Sequence, residues 1–212
     1  MNSIFILIGF LAFSSAVFAG ADESTAGMVF LGNFQPTFYW VALEKNNNEP
    51  KTEILKDRKG HALARVSADF FSEIRMEGTG KLLDGRVLNF ASVVSLPGGG
   101  HEVRYLVCPP DAPYGYGVNG YKLVPFRSIA VDTRVIPIGS IIYMPAAKGV
   151  ILSSGEIHDG YFLAVDVGDM INDQHIDIFT GYGNQAEFFY RNNVQESGRY
   201  PIYLVRKGAY SQ

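Results

Sequence analysis

Three aspartates in short aliphatic segments are the side chains of this sequence best suited to acid chemistry on a sugar. Asp132 follows SIAV, Asp166 ends FLAVD, and Asp177 lies inside HIDIF. Side chains of a β-strand alternate between two faces, so each aspartate is predicted to lie opposite its neighbouring isoleucine or valine. Partial removal of a carboxyl group from water keeps it protonated to higher pH, as a general acid requires. The pattern therefore makes these three aspartates candidate catalytic residues.

A structural role is the competing interpretation of the same aspartates. Aspartates at strand ends commonly accept hydrogen bonds from the turn that follows, and Asp132, before Thr133, has such a position. A metal site is disfavoured, because the D-x-x-D-x-x-x-D run from Asp166 to Asp173 does not have the ligand spacing of an EF-hand calcium loop. We predict no metal and no cofactor.

The composition indicates a folded protein with one substantial core. The chain has 212 residues, 47% of them hydrophobic, and a net charge of −3. Lysine and arginine are scattered singly, which argues against a nucleic-acid partner, because a clustered basic face supplies most of that affinity. The 12 tyrosines and 15 phenylalanines offer flat surfaces for stacking on a neutral polymer such as a glycan. Cys108 is the only cysteine, so no intrachain disulfide is possible.

The first residues predict export. MNSIFILIGFLAFSSAVFAG is an apolar run that ends in small residues, and Val17-Phe18-Ala19 before Gly20 has the character of a signal-peptidase site. The run is shorter than the roughly 20 residues of a membrane-spanning helix. We therefore predict a signal peptide over 1–19 and no stable membrane insertion after its cleavage. The mature protein is expected to be a monomer in the periplasm, outside the cell or at the cell wall.

Local patterns predict a mainly β protein with two short helices. Residues 29–44 predict one or two strands, with Pro36 at a bend or edge. Ser67 is placed to begin one helix and Asn184 a second. The Asp-Gly pair within LDGR, residues 83–86, predicts a hairpin.

Neither a repeat nor a low-complexity linker divides the chain. We therefore predict a single domain over 20–212, mainly β and closed into a barrel, with residues 46–120 as an elaboration. Residues 108–121, CPPDAPYGYGVNGY, predict a long irregular loop. Its tyrosines are suited to line a saccharide groove, and packing of the loop on its own barrel is an equally open interpretation.

Several segments, in order, resemble the 3D domain family, which is named for three aspartates and includes membrane-bound lytic murein transglycosylase A. They are FLGNFQPTFYW, MEGTGKLLDGRVLNF, SIAVDTRVIPIGS, HDGYFLAVDVGD, HIDIFTG and GYGNQAEFFYRN. The resemblance implies a six-stranded double-psi β-barrel that cleaves the glycan strands of peptidoglycan. It makes Asp177 the expected catalytic acid, with Asp166 and Asp132 as supporting carboxylates. Tyr114, Tyr116, His175 and Glu77 are the predicted substrate-binding side chains.

One turn departs from the family pattern. The usual D-x-G-G-x-I-K-G becomes DVGDMIND, so that Asp169, Asn172 and Asp173 replace glycine, lysine and glycine. The added acids raise the local negative potential, which would raise the Asp177 pKa and repel the carboxylates of peptidoglycan if they lie close.

Three functions therefore stay open. The first is a lytic transglycosylase with one aspartate acid/base, and the second is an inverting hydrolase with two aspartates. The third is a glycan-binding cell-wall protein without activity.

Overall fold

The computed structural model describes Thr25 and residues 27–205 of the chain. Its strands are β1 (Val29–Leu43), β2 (Glu53–Asp57), β3 (Ala62–Val66), β4 (Thr79–Lys81), β5 (Val87–Ser95), β6 (His101–Val107), β7 (Ser128–Val131), β8 (Ile141–Tyr143), β9 (Tyr161–Asp166), β10 (His175–Tyr182) and β11 (Tyr200–Leu204). The α-helices over this range are α1 (Ala68–Glu77) and α2 (Glu187–Tyr190). The predicted signal peptide lies outside the described residues. Within them, no helix has the length and apolar character needed to cross a membrane.

Six strands pair in the order β10, β7, β9, β8, β11 and β1, and β1 pairs back onto β10. The β1–β10 and β7–β9 pairs are parallel, and the remaining pairs in this series are antiparallel. Ile129 and Val131 of β7 and Ile176 and Ile178 of β10 pack into one large core. This is the alternation predicted from the sequence, and the mainly β class with two helices is confirmed.

Strand β1 is a single strand that passes through Pro36 without a break. Its first part pairs with β11 as far as Phe34, and residues from Gln35 onward pair with β10. The N–H of Gln35 donates to the carbonyl of Gln174, so the nitrogen of Pro36 faces the other edge, where the β11 pairing has ended. Proline therefore removes no ladder hydrogen bond here.

Beyond the end of β1 the sheet continues through β4, β5, β6, β2 and β3. This part has its own core, in which Phe70 and Ile74 of α1 pack against Leu55 and Leu88. Helix α1 begins after Ser67, whose hydroxyl accepts the N–H of Phe70, as the sequence predicts. The predicted hairpin is the antiparallel β4–β5 pair.

Candidate active site

A cavity of about 630 Å³ lies between the six-strand part and the part built from α1 and β2–β6. The side chains of its lining that matter for its chemistry are Tyr39, Arg58, Arg75, Glu77, Phe90, Tyr116, Asp166, Asp169 and Asp177. Two of the three predicted catalytic aspartates therefore face one cavity, together with Glu77 and Tyr116. The cavity carries both carboxyl and guanidinium groups.

Asp177 reaches the cavity by simple strand alternation. Its neighbours Ile176 and Ile178 enter the main core, so the Asp177 side chain points to the other side of β10. In the parallel β1–β10 pair, Thr37 is its register partner, and the Thr37 hydroxyl donates to Asp177 Oδ1 at 2.8 Å. His175 Nε2 lies 2.8 Å from the same Thr37 Oγ1. Because the single hydroxyl proton is used on Asp177, His175 Nε2 must donate to Thr37.

The Asp177 carboxyl is held in its protonated form up to neutral pH. Burial raises the pKa of Asp177 to about 7, and the negative charge of Asp166 adds to the increase. The hydrogen bond from Thr37 opposes these effects, because it stabilises the charged form. A carboxyl that titrates near neutrality can both donate and accept a proton under physiological conditions.

Asp166 reaches the cavity by a break in the alternation of β9. Ile129 of β7 pairs with Ala164, but the next residue, Ala130, pairs with Asp166, so Val165 is an extra residue in β9. Ala164 packs in the main core, whereas Asp166, two residues later, lines the cavity. A shift of one residue moves a side chain to the other face of a strand, which explains why period two fails here.

Asp166 also has a raised pKa, with different partners from Asp177. Burial raises its pKa to about 6, against the lowering effect of hydrogen bonds from the Val167 N–H and the Tyr39 hydroxyl. The two bonds are 2.9 Å and 3.1 Å long. Burial and the two aspartates together raise the pKa of Tyr39 well above its usual range, so this phenol remains a donor. At neutral pH Asp166 is the more ionised of the two aspartates.

Glu77, at the end of α1, is a third carboxyl in the cavity lining. The Trp40 N–H, like the nitrogen of Pro36, points away from β10, and it donates to Glu77 Oε2 at 3.0 Å. The Trp40 indole N–H donates to Glu73 at 2.9 Å. Burial raises the pKa of Glu77 to about 7. Trp40 therefore fixes the end of α1 against the strand that carries Thr37.

Asp132, the third predicted catalytic aspartate, does not line this cavity. The strand ends at Val131, and the Asp132 carboxylate accepts hydrogen bonds from the backbone N–H and the guanidinium of Arg134 and from the N–H of Asp173. These bonds, led by those from the Arg134 side chain, hold the pKa of Asp132 well below its usual range. The turn-capping interpretation thus describes its position, and a carboxylate so bound is a poor proton donor.

The predicted substrate-binding residues do not all meet in one place. Tyr116 and Glu77 line the main cavity. Tyr114 packs against Phe179 and Tyr182 and lines a second cavity of about 370 Å³. His175 is half-buried and acts on Asp177 through Thr37 rather than facing the main cavity.

The loop over 108–121 is held against β9 beside Asp166. A Cβ atom added to Gly117 would lie 2.3 Å from the Val165 carbonyl oxygen, so only glycine permits this approach. The N–H of Tyr116, next to it, donates to the side chain of Asn89. The loop thereby forms one side of the main cavity.

The unusual DVGDMIND turn places its two extra acids differently. Asp169 lines the main cavity. Asp173 has an 88% exposed side chain, lies outside that lining and comes within 3.7 Å of Arg134. Of the two extra acids, only Asp169 therefore adds negative charge to the lining of the cavity.

Sequence reasoning missed four residues of this site: Thr37, Tyr39, Arg58 and Arg75. Thr37 and Tyr39 alternate with Phe38 in β1, a local signal that these two residues share a face. Their partners are 127 to 140 residues away in sequence, and no local pattern gives that pairing. Among residues 25 and 27–205, no group of three or more His, Cys, Asp or Glu side chains is arranged to hold a metal ion.

The sequence of the region with the three aspartates matches a known family. The model of the 3D domain matches residues 127–195, as the resemblance predicts. Over 75 residues the chain is 36% identical to the membrane-bound lytic murein transglycosylase A homolog of Buchnera aphidicola subsp. Schizaphis graminum. The aligned part is 34% of this chain and 20% of that relative, so the chain spans about a fifth of the length of the curated protein.

Solved structures of lytic transglycosylases have a similar fold. The crystal structure of MltA from E. coli with bound chitohexaose superposes with a TM-score of 0.57 at 16% identity, over 82% of this chain and 72% of that one. A membrane-bound lytic murein transglycosylase from Agrobacterium tumefaciens gives a TM-score of 0.54 at 16% identity, over 84% and 75% of the two chains. At this identity the likeness concerns the fold alone.

Proposed function

We propose that this protein is a lytic transglycosylase that cleaves the glycan strands of peptidoglycan. The observation that carries the proposal is the Asp177 carboxyl, which lies in the large cavity with its pKa raised to about 7 and is oriented by Thr37. The match to the 3D domain and the lytic murein transglycosylase relative support the same reaction class.

In this proposal one carboxyl serves both proton transfers. Protonated Asp177 donates its proton to the glycosidic oxygen between N-acetylmuramic acid and N-acetylglucosamine as the bond to the muramyl C1 breaks. The O6 hydroxyl of the same muramyl residue attacks C1, and the Asp177 carboxylate accepts the O6 proton. The products are a 1,6-anhydromuramic end and a free N-acetylglucosamine end. No water is consumed, because the nucleophile is held on the substrate at high effective concentration.

Asp166 has a supporting role in this mechanism. Its charge raises the pKa of Asp177, and an ionised carboxylate in the cavity stabilises the positive charge that develops at the sugar C1 in the transition state. The hydroxyl of Tyr39 holds Asp166 in place. Tyr116 and Glu77 provide an aromatic face and a hydrogen-bonding carboxyl for the sugar. Asp132 contributes by fixing the turn before Asp173 rather than by contacting the substrate.

The proposal extends to the fold and location. The six strands that pair in a closed series support assignment as a six-stranded double-psi β-barrel. We assign residues 20–212 to one domain with 46–120 as its elaboration, and we place the mature protein outside the cytoplasm as a monomer on the cell wall. The separate core of α1 and β2–β6, joined to the other part through β1, supports the elaboration.

An inverting hydrolase is the second candidate. It is favoured by the presence of Asp166, a second carboxyl that is ionised at neutral pH in the same cavity and could activate water as a general base. This reaction leaves reducing ends with a free C1 hydroxyl in place of anhydro ends.

Digestion of purified peptidoglycan, followed by mass spectrometry of the strand ends, tests the proposal. We expect anhydro ends from the natural protein and no cleavage by Asp177→Asn, because the amide retains the shape but does not donate a proton as an acid does. Asp173→Asn makes the same chemical change at an exposed aspartate outside the cavity and should retain activity. Reducing ends would favour the hydrolase, and unchanged polymer with measurable binding would leave a glycan-binding protein.

A further inference from the structure

Two arginines in the lining of the main cavity have no carboxylate partner among the described residues. Arg58 lies in the turn between β2 and β3, and Arg75 in the last turn of α1. Both are exposed, and neither forms an ion pair in the part of the chain that the structure describes. Both come from the part of the molecule that faces the aspartate-bearing strands across the cavity.

The turn itself explains why Arg58 is left without a partner. The carboxylate of Asp57, its immediate neighbour, accepts the N–H groups of Lys59 and His61, each at 2.8 Å. The other oxygen of Asp57 lies 3.2 Å from the His61 ring. The acid nearest in sequence is therefore engaged in the turn, and the Arg58 guanidinium extends into the cavity lining.

Arg75 is left without a partner for a similar reason. Its two acidic neighbours in α1, Glu73 and Glu77, both accept hydrogen bonds from Trp40. The Arg75 guanidinium instead lies over the ring of Phe71, 5.6 Å from the ring centre. This contact holds the side chain while leaving its N–H donors available.

The charged groups of the cavity are unevenly distributed. Asp166, Asp169 and Asp177 come from β9, β10 and the turn between them, whereas the two guanidinium groups come from α1 and the β2–β3 turn. The one acid on the arginine side, Glu77, accepts the Trp40 N–H, and burial raises its pKa to about 7. A carboxylate on a ligand is therefore repelled by the aspartates and attracted by the guanidinium groups. Guanidinium is well suited to it, because its planar N–H donors match the two oxygens of a carboxylate.

We propose that Arg58 and Arg75 bind a carboxylate carried by a side group of the glycan, either the lactyl carboxylate of muramic acid or a carboxylate of its stem peptide. This inference rests on the proposed function. The cavity thus favours glycan that bears acidic substituents. Such a glycan binds with those substituents toward the arginines and its glycosidic bond toward Asp177.

Binding measurements in the full chain carrying Asp177→Asn test the proposal without cleavage of the ligand. Arg58→Gln and Arg75→Gln are compared with Arg65→Gln, which removes the same charge from an exposed β3 residue outside the cavity lining. The ligands are chitohexaose, which has no carboxylate, glycan strands stripped of peptides, and strands that retain their stem peptides.

We expect each cavity variant to weaken binding of acidic glycan about fivefold, the upper end of the range for an exposed ion pair. Binding of chitohexaose should be unchanged, which also shows that the variants are folded, and the effect should shrink as salt rises. Stripped strands carry the lactyl carboxylate in free form, whereas in peptide-bearing strands this carboxyl is the amide of the first peptide residue. A loss on stripped strands therefore identifies the lactyl carboxylate as a group bound, and a loss on peptide-bearing strands identifies a carboxylate of the stem peptide.

Equal losses on all three ligands, an equal effect of Arg65→Gln, or no loss would overturn the proposal. Absence of binding to every ligand would overturn it as well. The proposed function is judged separately by the cleavage products of the natural protein. Anhydro ends with arginine-independent binding would reject only the carboxylate site. Arginine-dependent binding without cleavage would reject only the lytic activity.

Discussion

Replacement of Thr37 by valine should shift the pH dependence of catalysis to higher pH. The Thr37 hydroxyl donates to Asp177 Oδ1 at 2.8 Å and so stabilises the carboxylate more than the acid. Valine has nearly the same shape and suits a β-strand, but it has no hydroxyl. Without the hydrogen bond the pKa of Asp177 rises above about 7, and the protonated, proton-donating form persists to higher pH.

The size of the shift follows from the strength of the lost bond. A hydrogen bond to a charged group contributes about 1.5 to 3 kcal/mol, and one pKa unit corresponds to about 1.4 kcal/mol. The cavity admits water that can replace part of the lost bond, so the lower value applies. We therefore expect the alkaline limb of the profile, where the general acid loses its proton, to move up by about one pH unit.

The assay is the pH profile of kcat/KM on glycan strands, with strand ends counted by mass spectrometry. Thr37→Ser, which retains the hydroxyl, is the matched control and should keep the natural profile. His175→Gln tests the other contact of Thr37 and should shift the profile less, because it acts on Asp177 only through the hydroxyl. An unshifted or lowered limb in Thr37→Val, or an equal shift in Thr37→Ser, would refute the reasoning.

Three further predictions concern the carboxyl pair and the loop beside it. Asp166→Asn removes a like charge and should move the same alkaline limb to lower pH; an upward shift in the kcat/KM profile would contradict this account. Because the pKa of Asp177 is higher in the folded state than in the unfolded chain, ionisation of Asp177 lowers the free energy of unfolding as pH rises from about 4 to about 7. Asp177→Asn should remove this decrease, which amounts to up to about 4 kcal/mol, in urea unfolding. A difference in unfolding free energy between variant and natural protein that does not grow with pH would refute this prediction. Gly117→Ala should lower the free energy of unfolding by about 1 to 3 kcal/mol and reduce cleavage, because its Cβ meets the Val165 carbonyl; an unchanged free energy of unfolding together with full cleavage would contradict this.

Local patterns were sufficient for many elements of the fold. Ser67 marks the start of α1, the Asp-Gly pair marks the β4–β5 hairpin, and Ile176 and Ile178 enter the core as alternation requires. Each of these features depends on residues a few positions apart. Pro36 shows the limit of such reasoning, because its effect on β1 depends on where along β1 the pairing with β11 ends.

The site required more than local patterns. Asp177 was found by alternation, because β10 is regular where it lies. Asp166 faces the cavity only because β9 contains an extra residue opposite β7. The pairing register of two strands cannot be predicted from the sequence of either strand alone. Asp132 has the same sequence character as the other two aspartates, yet it caps a turn and pairs with Arg134.

The sequence by itself determined the alternation of the regular strands, the start of α1 after Ser67 and the set of acids from which the site is built. Only the tertiary structure decided which acids share a cavity, that Thr37 and His175 lie beside Asp177, and that Arg58 and Arg75 face the aspartates without acid partners. The physical reason is the separation in sequence over which each effect acts. Alternation and capping arise from neighbouring backbone geometry, whereas burial, charge coupling and the pKa values they set depend on groups brought together from distant parts of the chain.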